Sequence, residues 1–143
     1  MGLIKELYSK KIFLDTAPLI YFMEEESEFL PLLSDLFSSS NNCRFVTSVI
    51  TLSEVLVMPL REKRMQLVEQ YKNILTLAGN IEIFDINIPI AEETAKIRAN
   101  FHFKTPDAIQ LATAKYSIAD YFFTNDYRLK TFTDLNVITL TDL

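Results

Sequence analysis

"IFLDTAPLIYF", residues 12–22, interrupts an apolar run with one carboxylate, Asp15, followed by a hydroxyl at Thr16 and a proline at position 18. Ile12 to Leu14 read as the end of a β-strand. Pro18 suits the first turn of a helix, where a missing N–H costs nothing. The stretch therefore reads as strand, turn and helix, with a charged side chain at the strand's carboxyl end.

The same alternation recurs along the chain. "KIFLD" (11–15), "CRFVT" (43–47), "IEIFDI" (81–86), "DYFFT" (120–124) and "NVITL" (136–140) are short β-branched or aromatic runs of strand length. Between them lie "PLIYFMEEE" (18–26), "EFLPLLSDLF" (28–37), "SVITLSEVLVM" (48–58) ahead of Pro59, "REKRMQLVEQYKNILTLAG" (61–79), "IPIAEETAKIRANF" (88–101) and "TPDAIQLATAKYS" (105–117). The long segment places Met65, Leu67, Val68, Tyr71, Ile74, Leu75 and Ala78 at helical spacing, and Gly79 ends it. A Glu92–Lys96 pair stands at i,i+4, and Thr105 sits at a cap position ahead of Pro106. "SSSNN" (38–42) is a loop, and no linker or repeat divides the chain. Strands alternating with helices predict one α/β domain over 1–143: three layers, α/β/α, around a mostly parallel sheet of about five strands with right-handed crossovers.

Composition limits the chemistry. The chain has 143 residues, 49% of them apolar, and only two glycines, so no Gly-rich phosphate cradle is available. Cys43 is the only cysteine and His102 the only histidine, which excludes a disulfide framework and any Cys/His zinc site. The longest stretches without a charge, Phe45 to Ser53 and Asn73 to Ile81, are nine residues, against roughly 20 for a membrane span. No signal-peptide pattern opens the chain, so a reduced, cytoplasmic setting is expected. The net charge of −5 argues against a generic basic nucleic-acid binder. Bound cations would reverse the local sign, because a divalent metal is often the largest charge in its site.

In an open α/β sheet, ligands bind outside the carboxyl ends of the strands. Asp15 ends the first strand, Glu54 lies about two helical turns into the segment after the second, Asp107 opens the helix before the fourth, and Asp126 follows the fourth in "FFTND". Each has an ordinary structural reading. Asp15 caps the helix near Pro18, Thr51 and Glu54 fit an S/T-x-x-E capping box, Asp107 suits a helix dipole, and "TND" is turn chemistry. Taken together they also describe four acids converging on one sheet edge, and a solvent-exposed charge is not the natural choice inside "VITLSEVLVM".

These segments resemble the PIN domains, and among them the VapC-type toxins of toxin–antitoxin pairs. "FLDTAPLIY" is similar to the first acidic motif, "TSVITLSEVL" to the second, "TPDAIQLATA" to the third and "FFTND" to the fourth. The order and combination cover nearly the whole chain. Two departures stand out: Ala17 occupies a position where many members carry Asn or Ser, and "NDYRL" lacks the second acid and Phe that often close the fourth motif. The resemblance implies a metal-dependent ribonuclease with Asp15, Glu54, Asp107 and Asp126 as the acidic site, supported by Thr16, Thr124 and Asn125.

Carboxylates suit hard ions such as Mg²⁺ or Mn²⁺. The expected chemistry is hydrolysis of an RNA phosphodiester by metal-activated water, leaving a 5′-phosphate. Asp15, Glu54 and Asp107 are assigned to the first ion, and Asp126 to a second ion or to the water. Lys104, Lys115, Arg128 and Lys130 flank the third and fourth motifs as candidates for RNA phosphates, although scattered surface charge is the commoner reading. His102 has no Ser or Cys partner and is not enlisted. The aromatics of "LIYFM" and "YFF" belong to the core or to a subunit contact, and the apolar excess fits a homodimer or a surface covered by a cognate antitoxin. Two rivals remain. One is an Asp15-nucleophile phosphohydrolase, for which "DTA" lacks the second acid of D-x-D; the other is an inert PIN-like module that binds RNA or protein.

Overall fold

A computed structural model describes residues 2–24, 29–77 and 79–143. Among them are seven α-helices and five strands, and all five expected strands are present: β1 (Lys11–Leu14), β2 (Arg44–Ser48), β3 (Ile81–Phe84), β4 (Tyr121–Thr124) and β5 (Val137–Thr139). They form one sheet in the order β3-β2-β1-β4-β5. The contacts of the chain divide into two compact units: residues up to Phe45 together with those from Ala119 onward, and Val46–Ile118. Strand β2 begins in the first and ends in the second.

The first unit holds α1 (Gly2–Glu6), α2 (Thr16–Met23) and α3 (Leu30–Leu36) with β1, β4 and β5. Strands β1 and β4 pair in parallel, Phe13 opposite Phe122, and β4 pairs with β5 in parallel, Phe123 opposite Ile138. Parallel strands are covered on both faces, so they read as unbroken apolar runs. Ile12, Phe13, Leu14, Phe122 and Phe123 are accordingly all fully buried. The Phe13 and Phe122 rings stack with centroids 5.1 Å apart, and Phe37 bridges Phe22 and Phe45 at 4.6 and 4.7 Å. Burial pushes the Cys43 thiol up, and its S–H donates to the Leu7 carbonyl at 3.2 Å.

The second unit holds β3 with α4 (Val49–Arg61), α5 (Met65–Thr76), α6 (Ile88–Asn100) and α7 (Thr105–Tyr116). Leu67, Val68, Tyr71 and Leu75 bury the expected stripe of α5, while Met65 is exposed. Helix α7 is buried nearly all round, at Ala108, Gln110, Leu111, Ala112, Thr113 and Ala114.

Several boundaries differ from expectation. The segment 61–79 is not one helix: α4 runs through Pro59 to Arg61, and Lys63 turns the chain at φ 58° before α5 begins. "REKR" consists of good helix formers, so nothing local marks that break. The capping box at Thr51 and Glu54 does not form. Ser48 caps α4 by accepting from the Ile50 N–H at 3.1 Å, and Thr51 lies inside the helix, fully buried. Lys104 rather than Thr105 occupies the cap position of α7. The expected helical positions Glu25, Glu26, Glu28 and Ala78 lie outside the described residues.

Gly79 takes φ 77°, a conformation glycine adopts without penalty. Ile118, just past α7, takes φ 56° although it is β-branched, and it is 80% exposed. A left-handed conformation costs an L-residue roughly 1–2 kcal/mol, and glycine is favoured at this position after a helix. Little burial is lost on truncation, so Ile118→Gly should raise stability by about 1 kcal/mol in chemical denaturation.

Candidate metal-binding acids and their supports

In the first unit the chain leaves the sheet at two adjacent strand ends. β1 lies between β2 and β4, so the strand order reverses between β1 and β4, the position at which open α/β sheets bind ligands. Asp15 stands at the end of β1 and caps α2 from φ −75°, ψ 172°. Its Oδ1 accepts from the Thr16 N–H at 2.9 Å, and its Oδ2 accepts from Thr124 Oγ1 at 2.7 Å. The Asp15 N–H donates to the Phe123 carbonyl at 2.9 Å, continuing the β1–β4 ladder. Asp15 is thus both a helix cap, for a helix that starts at Thr16 rather than near Pro18, and a half-buried carboxylate aligned by a neighbouring strand.

Thr124 is fully buried and bonds both candidate acids of the unit, Asp15 and Asp126. Its hydroxyl donates to Asp15 and accepts from the Asp126 N–H at 3.0 Å. Asp126 caps the 3₁₀ turn Tyr127–Thr131 and binds Arg128 through two oxygens: Oδ1 accepts from the Arg128 N–H and Nε at 3.0 and 3.1 Å, and Oδ2 from Nη2 at 2.6 Å. The turn reading of "TND" therefore holds for Asp126, with a guanidinium over the carboxylate. Asn125 is exposed and its Nδ2 donates to the Tyr21 hydroxyl at 3.1 Å.

In the second unit Glu54 lies on α4 and Asp107 in the first turn of α7. Asp107 is half-buried, whereas Glu54 is exposed, against the sequence expectation that a charge there would avoid solvent. The residues between them went unnoticed in the sequence. The Ser48 hydroxyl donates to Gln110 Oε1, Gln110 Nε2 donates to Thr51 Oγ1 at 2.7 Å, and Thr47 Oγ1 donates to the same atom at 2.7 Å. All four side chains are at most 1% exposed. Only the buried polar character of Gln110 within an apolar helix could have signalled them.

The basic candidates are mostly engaged with acids. Lys115 pairs with Glu93 at 3.1 Å. Lys130 pairs with Asp142 at 2.6 Å and lies 4.9 Å from the centre of the Tyr127 ring. Burial raises the Asp142 carboxyl, but the ammonium of Lys130 and the Thr139 donors outweigh it and hold the group below its ordinary value. That contribution to stability is present at neutral pH and lost as pH falls through the acid range. Lys104 is exposed, as is His102.

Each of the four acids is a hard oxygen donor of the kind Mg²⁺ and Mn²⁺ prefer. In donor chemistry they fit such an ion. Among the described residues, no group of three or more His, Cys, Asp or Glu side chains is already gathered around a metal-sized space. No helix among them is long and apolar enough to cross a membrane.

Thr124→Val removes the donor to Asp15 and the acceptor for the Asp126 N–H while keeping the volume. It should cost about 1–3 kcal/mol of stability by denaturant titration, whereas Thr124→Ser retains most of it.

Solved structures with this fold give the comparison. The VapBC2 structure from Rickettsia felis, bound to a DNA fragment from its promoter, superposes at a TM-score of 0.72 with 16% identity, covering 90% of this chain and 98% of that one. A toxin–antitoxin complex from Klebsiella pneumoniae matches at 0.68 with 24% identity over 90% of this chain and 97% of that one. VapC20 of Mycobacterium tuberculosis, a sarcin–ricin-loop-cleaving toxin, matches at 0.69 with 14% identity over 85% and 94%. Among curated proteins, none matches the chain in sequence. The PIN domain family model matches residues 12–135, from the first strand past the last of the four acidic motifs. On that match, and with the strand order and acid positions described above, this chain belongs to the PIN domain family.

Proposed function

We propose that this chain is a Mg²⁺- or Mn²⁺-dependent endoribonuclease, the toxin of a toxin–antitoxin pair, with Asp15, Glu54, Asp107 and Asp126 as its metal-binding acids. It acts as a single PIN-like domain over 1–143, in the cytoplasm and as a homodimer, with a cognate antitoxin as its partner. The observation that carries the reading is Asp15, held by the Thr16 N–H and the Thr124 hydroxyl where the strand order reverses, in a chain of the PIN family. Similar folds in a toxin–antitoxin complex and in a sarcin–ricin-loop-cleaving toxin support the biological setting.

Asp15, Glu54, Asp107 and Asp126 would hold a divalent ion, which would supply polarisation of the phosphate and activation of water. The chain's own residues do the rest. Thr124 orients the Asp15 carboxylate by donating to one oxygen, leaving the second to the Thr16 N–H. Arg128 balances the charge of Asp126 and is exposed, so its guanidinium is available to exchange that carboxylate for an RNA phosphate. No side-chain nucleophile is required, and hydrolysis leaves a 5′-phosphate.

Asp107→Asn should abolish Mn²⁺-dependent RNA cleavage while leaving the circular dichroism spectrum native, and EDTA should reproduce the loss. Product ends bearing a 2′,3′-cyclic phosphate would contradict the mechanism, and equal cleavage by both proteins would remove the metal-site assignment. A second reading, an inert PIN-like binding module, is favoured by the pairing of Asp126 with Arg128. It expects RNA binding without cleavage at any Mn²⁺ concentration.

A further inference from the structure

We propose that Gln110 is a positioning residue for the acidic site, setting the register of α7 against α4 and through it the placement of Asp107 and Glu54. The inference rests on the ribonuclease reading above. Its basis is the buried network of the second unit, in which one amide ties two helices and a strand end: the Ser48 hydroxyl donates to Gln110 Oε1, and Gln110 Nε2 donates to Thr51 Oγ1 at 2.7 Å.

Spacing connects that lock to the acids. On a helix, residues three apart share a face one turn away from each other. Asp107 stands three residues before Gln110 on α7, and Glu54 three residues after Thr51 on α4. Each acid is therefore one turn from a partner in the Gln110–Thr51 bond. Helices α4 and α7 pack on one another within this unit. Of the remaining buried residues of α7, Ala108, Leu111, Ala112 and Ala114 are apolar and Thr113 bonds within its own helix, to the Ile109 carbonyl at 2.7 Å, so none of them opposes a small axial slide by a directional bond to another element. Directional hydrogen bonds to a fully buried amide would not, because a slide leaves a donor or acceptor unsatisfied.

The lock is also anchored at the helix start. Ser48 caps α4 by accepting from the Ile50 N–H at 3.1 Å while donating to Gln110, and Thr47 Oγ1 donates to Thr51 at 2.7 Å. The hydroxyl that caps the helix carrying Glu54 thus also bonds the amide of the helix carrying Asp107. A packing role alone would be served as well by methionine, which matches glutamine in shape and carries no polar group to satisfy.

The test compares Mn²⁺ binding, followed by loss of the free-ion signal in electron paramagnetic resonance, among the native chain, Gln110→Met, the pair Thr51→Val/Gln110→Met, and Thr51→Ser. The paired variant removes both ends of one hydrogen bond and leaves only the rotatable hydroxyls of Ser48 and Thr47 to find new acceptors, so it is less disruptive than the single variant, which also sets the Thr51 hydroxyl against an apolar side chain. Supporting groups of metal ligands typically contribute 10–100-fold to affinity, and the expected result is a loss of about tenfold in Mn²⁺ affinity for both Gln110 variants. Thr51→Ser, which keeps the hydroxyl, retains most of the affinity. RNA cleavage should lose kcat with KM unchanged. Folded Gln110 variants that bind Mn²⁺ as tightly as the native chain would overturn the positioning role and leave the ribonuclease reading standing. A native chain that neither binds Mn²⁺ nor cleaves RNA would overturn both.

Discussion

A parallel strand covered on both faces leaves its polar residues one place to go, the end where the chain leaves the sheet. Strands β1 and β4 obey this rule: Ile12, Phe13, Leu14, Phe122 and Phe123 are sealed from solvent, and the first polar side chains to follow are Asp15 and Thr124. Because the two strands are neighbours, those side chains meet, and the hydroxyl of one satisfies the carboxylate of the other at 2.7 Å. The acid is thus fixed by the requirements of the core. Its capping of α2 and its alignment by Thr124 use different oxygens, so both ends of the carboxylate are fixed.

The strands were legible because their apolar runs are short and bounded, and the family was legible because four acids fall in a fixed order. What escaped the sequence depended on partners remote along the chain. Gln110 finds Ser48 and Thr51 across 62 and 59 positions, a pairing with no local signature. Thr51 looked like the start of a capping box because S/T-x-x-E is a local pattern, yet Ser48, three residues earlier, already holds the cap. The turn at Lys63 was hidden by residues that favour helix, and Arg64 opens α5 with no side-chain cap bond to advertise it. The cap role of Asp15 and the turn role of Asp126 were legible, because capping and turn formation are contacts between near neighbours.

Charge is arranged economically for a chain of net −5. Arg128 faces Asp126, Lys115 faces Glu93, and Lys130 faces Asp142. Only Arg128 among these six side chains is exposed, and an exposed ion pair contributes roughly 0–1 kcal/mol, so exchanging its partner for another ion is cheap. The first of these pairs matters most, because the Arg128 guanidinium meets the Asp126 carboxylate at 2.6 Å while its side chain is 70% exposed.

The central pairing of the sheet also has a history in time. β1 closes against β4 across 109 positions, the separation of Asp15 from Thr124. Contacts this distant along the chain form late and slow folding, since the intervening loop must be closed before they reward it. During synthesis, the edge of β1 that will receive β4 waits with its backbone groups unpaired until Tyr121–Thr124 has left the ribosome. Throughout that interval Ile12, Phe13 and Leu14 form a sticky apolar edge. The residues that make the finished interior most secure are thus the ones that expose the nascent chain to aggregation.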